Sequence, residues 1–222
     1  IGADGSLRLL TSQTASAPAD DSEATGPKVY LSTDSGKTWT QPLPPLPLDI
    51  ALEDLRFSPA FAADLSVFIA HPSARPLRSS GGGDWQEFGP PGTGNYLALH
   101  LSPTFDQDRL IFLRLEDRRL WRSTDGGDGW SDASGPWGDN APMAVIPATG
   151  YALDALTFSP AYEQDGLILT RAGSSLYRST DQGSTWTPVL DLEPSSVQVA
   201  FAPDYARGGE IYLLQDQVVY RS

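Results

Sequence analysis

Three carboxylates in this sequence could support hydrolytic chemistry, and two of them recur at equivalent places. Glu53 and Asp154 each stand six residues before the proline of a Ser-Pro pair, and Asp54 follows Glu53 directly. Cleavage of a glycosidic bond uses such a pair, because one carboxyl protonates the leaving group while the other acts as base or nucleophile. In the competing interpretation, Asp54 forms an ion pair with Arg56 on the same strand face. Glu53, Asp54 and Asp154 are therefore alternative catalytic residues, and the interpretation favoured below assigns none.

A second set of polar and aromatic residues falls in three segments that lack any repeated pattern. The segments are 14–27, 71–76 and 131–150, which are rich in the small, polar and proline residues typical of loops. A tryptophan in such a loop can stack on a sugar ring or fill a partner's pocket, or it can simply cover the end of a sheet. We predict ligand binding by seven residues in these loops: Trp137, Asp139, Met143, His71, Arg75, Asp20 and Asp21.

Composition excludes several classes of function. His71 and His100 have no carboxylate at ligand spacing and the chain has no cysteine, so we predict neither a metal site nor a cofactor. The net charge of −13 argues against a nucleic-acid surface, since phosphate binding needs clustered Lys and Arg. No apolar run approaches the roughly 18 residues of a membrane span. We expect a neutral or cationic partner, either a protein or a glycan.

The elements that position these residues are set by a repeated pattern, Ser-x-Asp-x-Gly-x-x-Trp. It occurs in full from Ser32, Ser123 and Ser179, a shorter copy at 79–85 lacks the first Asp, and a further copy begins at 220–222. In a hairpin turn of this type the Asp accepts backbone hydrogen bonds, the Gly adopts positive φ and the Trp folds back over the turn. We predict a structural role for nine residues of the full copies: Asp34, Gly36, Trp39, Asp125, Gly127, Trp130, Asp181, Gly183 and Trp186.

A second pattern, Ser-Pro-x-Phe-x-x-Asp with close variants, alternates with the first. Its prolines recur at intervals of 44, 57 and 43 residues, at Pro59, Pro103, Pro160 and Pro203. A period near 44 residues with four short strands per unit is typical of a propeller blade, and the longer interval places an insertion within 131–150. The acids of this pattern are expected to hold turns: Asp64, Asp108 and Asp165.

The copies from Ser32, Ser123 and Ser179 resemble the Asp-box, or bacterial neuraminidase repeat, of β-propellers such as sialidases, xyloglucanases, sortilin-type receptors and photosystem II assembly factors. The resemblance implies an all-β fold of four-stranded antiparallel blades with Asp-box hairpins. It implies about five blades or part-blades in one domain over 1–222, or a fragment of a longer propeller. Members share a fold, so function has to be argued from sites.

Sialidase activity does not follow from this resemblance. The sialidase pattern includes an Arg-Ile-Pro motif, an arginine triad and a tyrosine nucleophile, whereas this sequence has Val145-Ile146-Pro147 with no arginine before it. Its regular arginines all stand directly before the serine of a box copy: Arg78, Arg122, Arg178 and Arg221. They are repeat residues, so no triad is carried over.

The two patterns predict short strands with no helix between them. Counted from the centre outward, first strands are expected at 50–57, 96–101, 151–158 and 197–202, and second strands at 6–13, 65–70, 109–114, 166–171 and 210–215. Third strands are expected at 28–32, 75–79, 118–123, 174–179 and 217–222, and fourth strands at 39–43, 84–88, 129–132 and 185–190. Both repeated turns then lie at one end of each sheet. The irregular loops share the opposite rim, where binding is expected.

The start at Ile1, with no signal peptide, fits a processed or excised segment, and we expect a secreted, periplasmic or cell-surface protein. Arginine greatly outnumbers lysine, which indicates a GC-rich bacterial source. Incomplete end blades predict self-association through open edges.

The predicted function is a non-catalytic exported propeller that binds a protein or a glycan through the irregular-loop rim. The alternative is a glycoside hydrolase, xyloglucanase-like rather than sialidase-like, or a fragment of one.

Overall fold

The computed structural model describes the chain over residues 7–11, 28–32, 34–44, 55–70, 75–91, 96–115, 119–135, 156–172, 174–192, 197–215 and 217–222. The chain divides into two compact units, Ile1–Gly89 and Pro90–Ser222. All strand pairs in the described residues are antiparallel, which confirms the predicted all-β class. The extent of a single domain over 1–222 stays a prediction.

The first unit contains two sheets in its described residues. One pairs β1 (Leu7–Thr11) with β2 (Lys28–Ser32). The other has four strands in chain order: β3 (Leu55–Phe57), β4 (Val67–Ile69), β5 (Leu77–Ser79) and β6 (Gln86–Glu87). Its core is formed by buried side chains of these strands, of their connections and of the segment before β3: Leu43, Leu55, Phe61, Val67, Ile69 and Leu77.

The strand predicted over 39–43 is wrong. Within these residues only Thr40 makes an isolated bridge. Pro42 lies in the predicted strand and Pro44 directly follows it, and a proline cannot donate a backbone hydrogen bond to a neighbouring strand. The prolines therefore stop this segment from extending the sheet.

The second unit contains three sheets in its described residues. The first has β7 (Tyr96–Leu101), β8 (Ile111–Leu115), β9 (Leu120–Ser123) and β10 (Ser131–Asp132). The second has β11 (Thr157–Phe158), β12 (Ile168–Ala172), β13 (Ser175–Ser179) and β14 (Thr187–Asp191). The third has three strands: β15 (Val197–Phe201), β16 (Ile211–Gln215) and β17 (Val218–Arg221).

Consecutive sheets of the second unit share apolar cores, so both faces of the middle sheet are covered. One core joins Phe112 and Leu120 to Ile168 of the next sheet. The other joins Leu176 to Leu213 of the last sheet. This double coverage explains why the inner strands consist of nearly continuous apolar runs rather than alternating ones.

The absence of helices was also predicted wrongly. Each Ser-Pro copy forms one helical turn: α1 (Phe61–Asp64), α2 (Phe105–Asp108), α3 (Tyr162–Asp165) and α4 (Tyr205–Gly208). Each turn is closed by backbone hydrogen bonds; in α1, for example, the Leu65 N–H donates to Phe61 O at 2.8 Å. Every one of these turns ends on a left-handed residue, which stops the helix after a single turn. Within the part of the chain that the structure describes, no helix could cross a membrane.

The two repeated turns meet at one end of a sheet, as predicted. The backbone N–H of Gly81, in the shorter box copy, donates to Asp64 O at 2.9 Å. In the next sheet, the backbone N–H of Gly126 donates to Arg109 O at 3.0 Å. The box and the one-turn helix therefore support each other and form one patterned rim on each of these sheets.

Candidate functional site

The turn between β13 and β14 is organised by the carboxylate of Asp181. It accepts the backbone N–H of Thr185 at 2.9 Å and the Thr185 hydroxyl at 2.6 Å. The Ser179 hydroxyl donates to Asp181 at 2.8 Å and accepts the Gly183 N–H at 2.9 Å. Gln182 and Gly183 have φ values of 61° and 75°, a region in which glycine carries little strain. Both oxygens of Asp181 are thus engaged by its own turn.

The other two full copies repeat this geometry. Asp34 accepts the backbone N–H groups of Lys37 and Thr38 at 3.0 and 2.8 Å, and the Thr38 hydroxyl at 2.6 Å. Asp125 accepts the corresponding two backbone N–H groups at 3.0 and 2.9 Å. The three carboxylates therefore hold hairpins in the same way, although the residues that donate to them differ.

These hydrogen bonds keep the box carboxylates ionised. The hydroxyl and the backbone N–H of Thr38 lower the pKa of Asp34 to about 2. For Asp125, the backbone N–H four residues on is the main cause of a lowered pKa. Burial alone would raise the pKa of Asp181, but the Thr185 hydroxyl and backbone N–H outweigh it and the pKa falls. A group with a lowered pKa is a poor general acid at neutral pH.

The acids of the Ser-Pro pattern are engaged too. Asp165 accepts the Ser159 hydroxyl at 2.7 Å and the backbone N–H two residues on at 2.9 Å. Asp64 and Asp108 accept the equivalent pair of donors. Asp165 also accepts the hydroxyl of Tyr205, in the following sheet, at 3.1 Å. Burial and the hydrogen bond to Asp165 raise the pKa of Tyr205.

The box tryptophans divide by where their indole N–H donates. Trp39 and Trp130 donate to the glycine carbonyl of their own turn, at 3.2 and 3.0 Å. Trp186 instead donates to Ala133 O of the preceding sheet at 3.1 Å and is only 7% exposed. In the first unit, the Trp85 indole N–H likewise donates outside its own sheet. Its acceptor is the carbonyl oxygen of Pro44, which precedes the first strand of that sheet, at 3.4 Å. An indole of this second kind ties two successive repeats together.

The repeat arginines also act within the scaffold. Arg122, next to the box serine of one sheet, donates through Nε to Gln182 O in the box of the following sheet at 2.6 Å. Arg221 forms an ion pair with Glu210. The Arg122 contact joins two successive sheets.

Most of the predicted functional residues lie outside the described residues: Glu53, Asp54, Asp154, Trp137, Asp139, Met143, His71, Asp20 and Asp21. Arg75 is described, and it forms an exposed ion pair with Glu87 at 3.5 Å. Exposed pairs of this kind contribute little to stability. Within the described ranges, no group of three His, Cys, Asp or Glu side chains could hold a metal ion.

The contacts from Tyr205 to Asp165 and from Arg122 to Gln182 were missed by the sequence analysis. One signal was available, because the two C-terminal Ser-Pro copies carry Tyr162 and Tyr205 where the earlier copies carry phenylalanine. In Tyr205 this hydroxyl reaches a carboxylate of the preceding sheet.

No protein-family model matches the chain, and no curated protein matches it. Among solved structures, it is similar to the GH74 xyloglucanase from Xanthomonas campestris, with a TM-score of 0.51 and 17% identity over 88% of this chain and 33% of that one. An ancestral GH74 enzyme matches with a TM-score of 0.49 and 19% identity, over 71% and 21% of the two chains. YCF48 bound to D1 peptide matches with a TM-score of 0.46 and 17% identity, over 88% and 58%.

The chain thus spans between about a fifth and three fifths of the length of these structures. At such low identity the likeness concerns fold alone. It agrees with the repeated antiparallel sheets and shows that the chain is built from β-propeller blades.

Proposed function

We propose that this chain is a non-catalytic Asp-box propeller, or a part of one, that binds a protein or a glycan through its irregular loops, 14–27, 71–76 and 131–150. One observation carries the proposal: each acid of the two repeated patterns accepts hydrogen bonds from its own turn. The residues of the repeated patterns therefore maintain the fold. A ligand-binding site is expected in the irregular loops, whose residues are not needed for the turns.

The described start of loop 131–150 supports this role. Ser134 accepts the backbone N–H of Leu120 at 3.1 Å, and its own N–H donates to Asp132 at 2.8 Å. Ala133 accepts the indole of Trp186 and is buried. Hydrogen bonds therefore hold the first residues of this loop in place. This lowers the conformational entropy that is lost when later residues of the loop bind a ligand.

The test compares the wild-type chain with a triple variant, Trp137→Ala, Asp139→Ala and Met143→Ala. Both proteins are applied to a glycan array, to soluble polysaccharides and, by cross-linking, to envelope and secreted proteins of the source organism. We expect the triple variant to lose at least about tenfold in affinity for the ligand that the wild type retains. Its melting temperature should stay within about 2 °C, because the changes leave the anchored residues 131–135 intact.

Asp84→Ala serves as the matched control, since it removes an exposed acid from the patterned rim. Binding that survives the triple variant, or that is lost equally in the control, contradicts the proposal.

Export is part of the same proposal. It is tested by cell fractionation, and a protein retained in the cytoplasm argues against it.

The second candidate is a glycoside hydrolase, favoured by the fold likeness to the xyloglucanase. Its acid and base would come from Glu53, Asp54 and Asp154, at first-strand positions of two repeats. Incubation with xyloglucan and chromogenic glycosides decides the matter by release of reducing ends or chromophore. Turnover that is lost in Glu53→Gln and Asp154→Asn would replace the binding proposal with this one.

A further inference from the structure

We propose that Tyr162 is a latch between the first two sheets of the second unit, and that the hydroxyl of Thr104 holds this latch open. The latch closes when the Tyr162 hydroxyl replaces that of Thr104 on the carboxylate of Asp108. Tyr162 lies on α3 and Asp108 on α2, so the closed state adds one hydrogen bond across the junction of the two sheets. All three residues belong to the Ser-Pro copies, so the latch does not depend on the proposed function of the irregular loops.

The next junction along the chain shows the closed form of such a latch. There the hydroxyl of Tyr205, on α4, donates to Asp165 Oδ2 in the preceding sheet at 3.1 Å. The same oxygen accepts the Ser159 hydroxyl at 2.7 Å. The residue that follows the proline of this copy is Ala161, which has no hydroxyl to donate. Asp165 therefore takes its second hydroxyl donor from the neighbouring sheet.

At the earlier junction, the second donor comes from the same turn. Asp108 Oδ2 accepts the Ser102 hydroxyl at 2.6 Å and the Thr104 hydroxyl at 3.0 Å. Thr104 stands where the following copy has Ala161. A carboxylate oxygen offers two lone pairs, so these two hydroxyls use its capacity. The tyrosine of the next sheet is therefore excluded from its acceptor.

Tyr162 has the repeat position of Tyr205 but not its hydrogen bond. It is 5% exposed, and among the described residues its hydroxyl has no hydrogen-bond partner of normal length and angle. Burial, and then the charge of Asp108, raise the pKa of Tyr162 to about 12, so the phenol lies near this carboxylate without bonding to it. A buried hydroxyl without a partner is destabilising. Closing the latch is therefore favourable once Thr104 turns away from Asp108.

Thr104 is able to release Asp108 because it is half-buried and has a second anchor. Its backbone N–H donates to the Ser102 hydroxyl at 3.0 Å, as the backbone N–H of Ala161 does to Ser159 in the following copy. The turn therefore keeps its shape when the Thr104 side chain changes rotamer, and the released hydroxyl can bond to water.

The latch closes on the core that contacts the start of loop 131–150. Tyr162 lies in one core with Trp186 and Ala133, and the Trp186 indole N–H donates to Ala133 O across the same junction. A further hydrogen bond between the two sheets makes opening of this junction rarer. Exchange of the Trp186 indole proton with solvent therefore reports on the state of the latch.

The test compares the wild type with Thr104→Ala, which introduces the residue that the following copy has. NMR follows hydrogen exchange in the full 222-residue chain. We expect exchange of the Trp186 indole proton to slow about threefold to tenfold, because one hydrogen bond is gained across the junction. Adding Tyr162→Phe should abolish this gain, whereas Tyr162→Phe in the wild type should change the rate by less than about twofold.

Two controls separate the latch from a general change in stability. Thr104→Ser keeps the hydroxyl, so it should exchange like the wild type. The Trp130 indole N–H donates within its own turn, so its exchange should not respond to Thr104→Ala.

A crystal structure of Thr104→Ala should place Tyr162 Oη about 3 Å from Asp108 Oδ2. Three results would overturn the proposal: a Tyr162 hydroxyl that stays unbonded in this variant, Trp186 exchange as fast in Thr104→Ala as in the wild type, or an equal effect of Tyr162→Phe in both backgrounds. The last result would show that Thr104 does not control the bond.

Discussion

The turns at 179–186 and 79–85 close the same kind of hairpin with different chemistry. In the first, the Asp181 carboxylate accepts hydrogen bonds from the backbone N–H and the hydroxyl of Thr185. In the second, where that acid is missing, the Ser79 hydroxyl donates to Gly83 O at 2.6 Å. Both turns place two successive residues at positive φ. The backbone conformation is therefore the constant requirement, and the carboxylate is one of two ways to stabilise it.

The two turns agree in how they use tryptophan. Trp186 and Trp85 both donate outside their own sheet, whereas Trp39 donates within its own turn and is 37% exposed. The pattern thus builds a local hairpin in each full copy, and through Trp186 and Trp85 it also joins successive repeats. The strength of each copy should follow the burial of its indole rather than the presence of its acid.

The largest effect is expected from Trp186→Ala. The ring is 7% exposed and lies in a core with Leu120 and Ile168, so its removal should cost about 3–5 kcal/mol of unfolding free energy. Trp39→Ala, at the exposed copy, should cost about 1 kcal/mol. Urea unfolding of both variants measures the contrast, and equal losses would show that burial does not rank the copies.

Gly183→Ala should come next, at about 2–4 kcal/mol. The new Cβ would meet the Phe112 ring at 2.5 Å, and φ is 75°. Gly81→Ala has a similar φ of 63° but nothing within 4 Å, so about 1 kcal/mol is expected. Thermal unfolding of the pair separates the steric cost from the conformational cost. A Gly81→Ala loss as large as that of Gly183→Ala would contradict the close packing.

Asp181→Ala should cost about 1 kcal/mol, since the turn loses its acceptor but keeps its glycine. Asp84→Ala, in the shorter copy, should change stability by less than about 0.5 kcal/mol. Denaturant midpoints of the two single variants test this difference. If Asp84→Ala were the more damaging change, the shorter copy would depend on an acid after all.

The smallest effect is the pH dependence carried by the box acids. Their pKa values are lowered on folding, to about 2 for Asp34, so the unfolded chain binds more protons between pH 4 and 2. The contribution of Asp34 is present above pH 4 and disappears as the pH falls through about 2, and those of Asp125 and Asp181 are likewise lost in acid, below their ordinary pKa. Asn at positions 34, 125 and 181 should flatten the stability profile across this window. An unchanged slope would show that other carboxylates dominate acid unfolding.

The sequence predicted what is local and missed what depends on neighbouring sheets. The spacing of Ser179, Asp181 and Gly183 was enough to predict a turn, because every bond that forms it lies within five residues. The helical turns escaped notice, since one turn is too short to show helical periodicity. The Arg122 contact with Gln182 spans two sheets, and nothing in either repeat alone indicates it.

The candidate site was predicted by exclusion, from loops that break the repeat. Of its seven residues, the structure describes Arg75, whose ion pair with Glu87 neither requires nor opposes a ligand. The ligand-binding role of all seven stays a prediction. Irregular loops have no periodic pattern from which a contact could be predicted. The residues of these loops that contact a ligand therefore have to be identified by binding measurements.

The most direct test measures binding and melting temperature together for two variants: the triple alanine variant of Trp137, Asp139 and Met143, and Asp181→Ala. We expect the first to lose its ligand without loss of stability, and the second to melt earlier and still bind below its melting temperature. The opposite pattern, with ligand lost in Asp181→Ala at full stability, would place the binding site on the patterned rim and contradict the account.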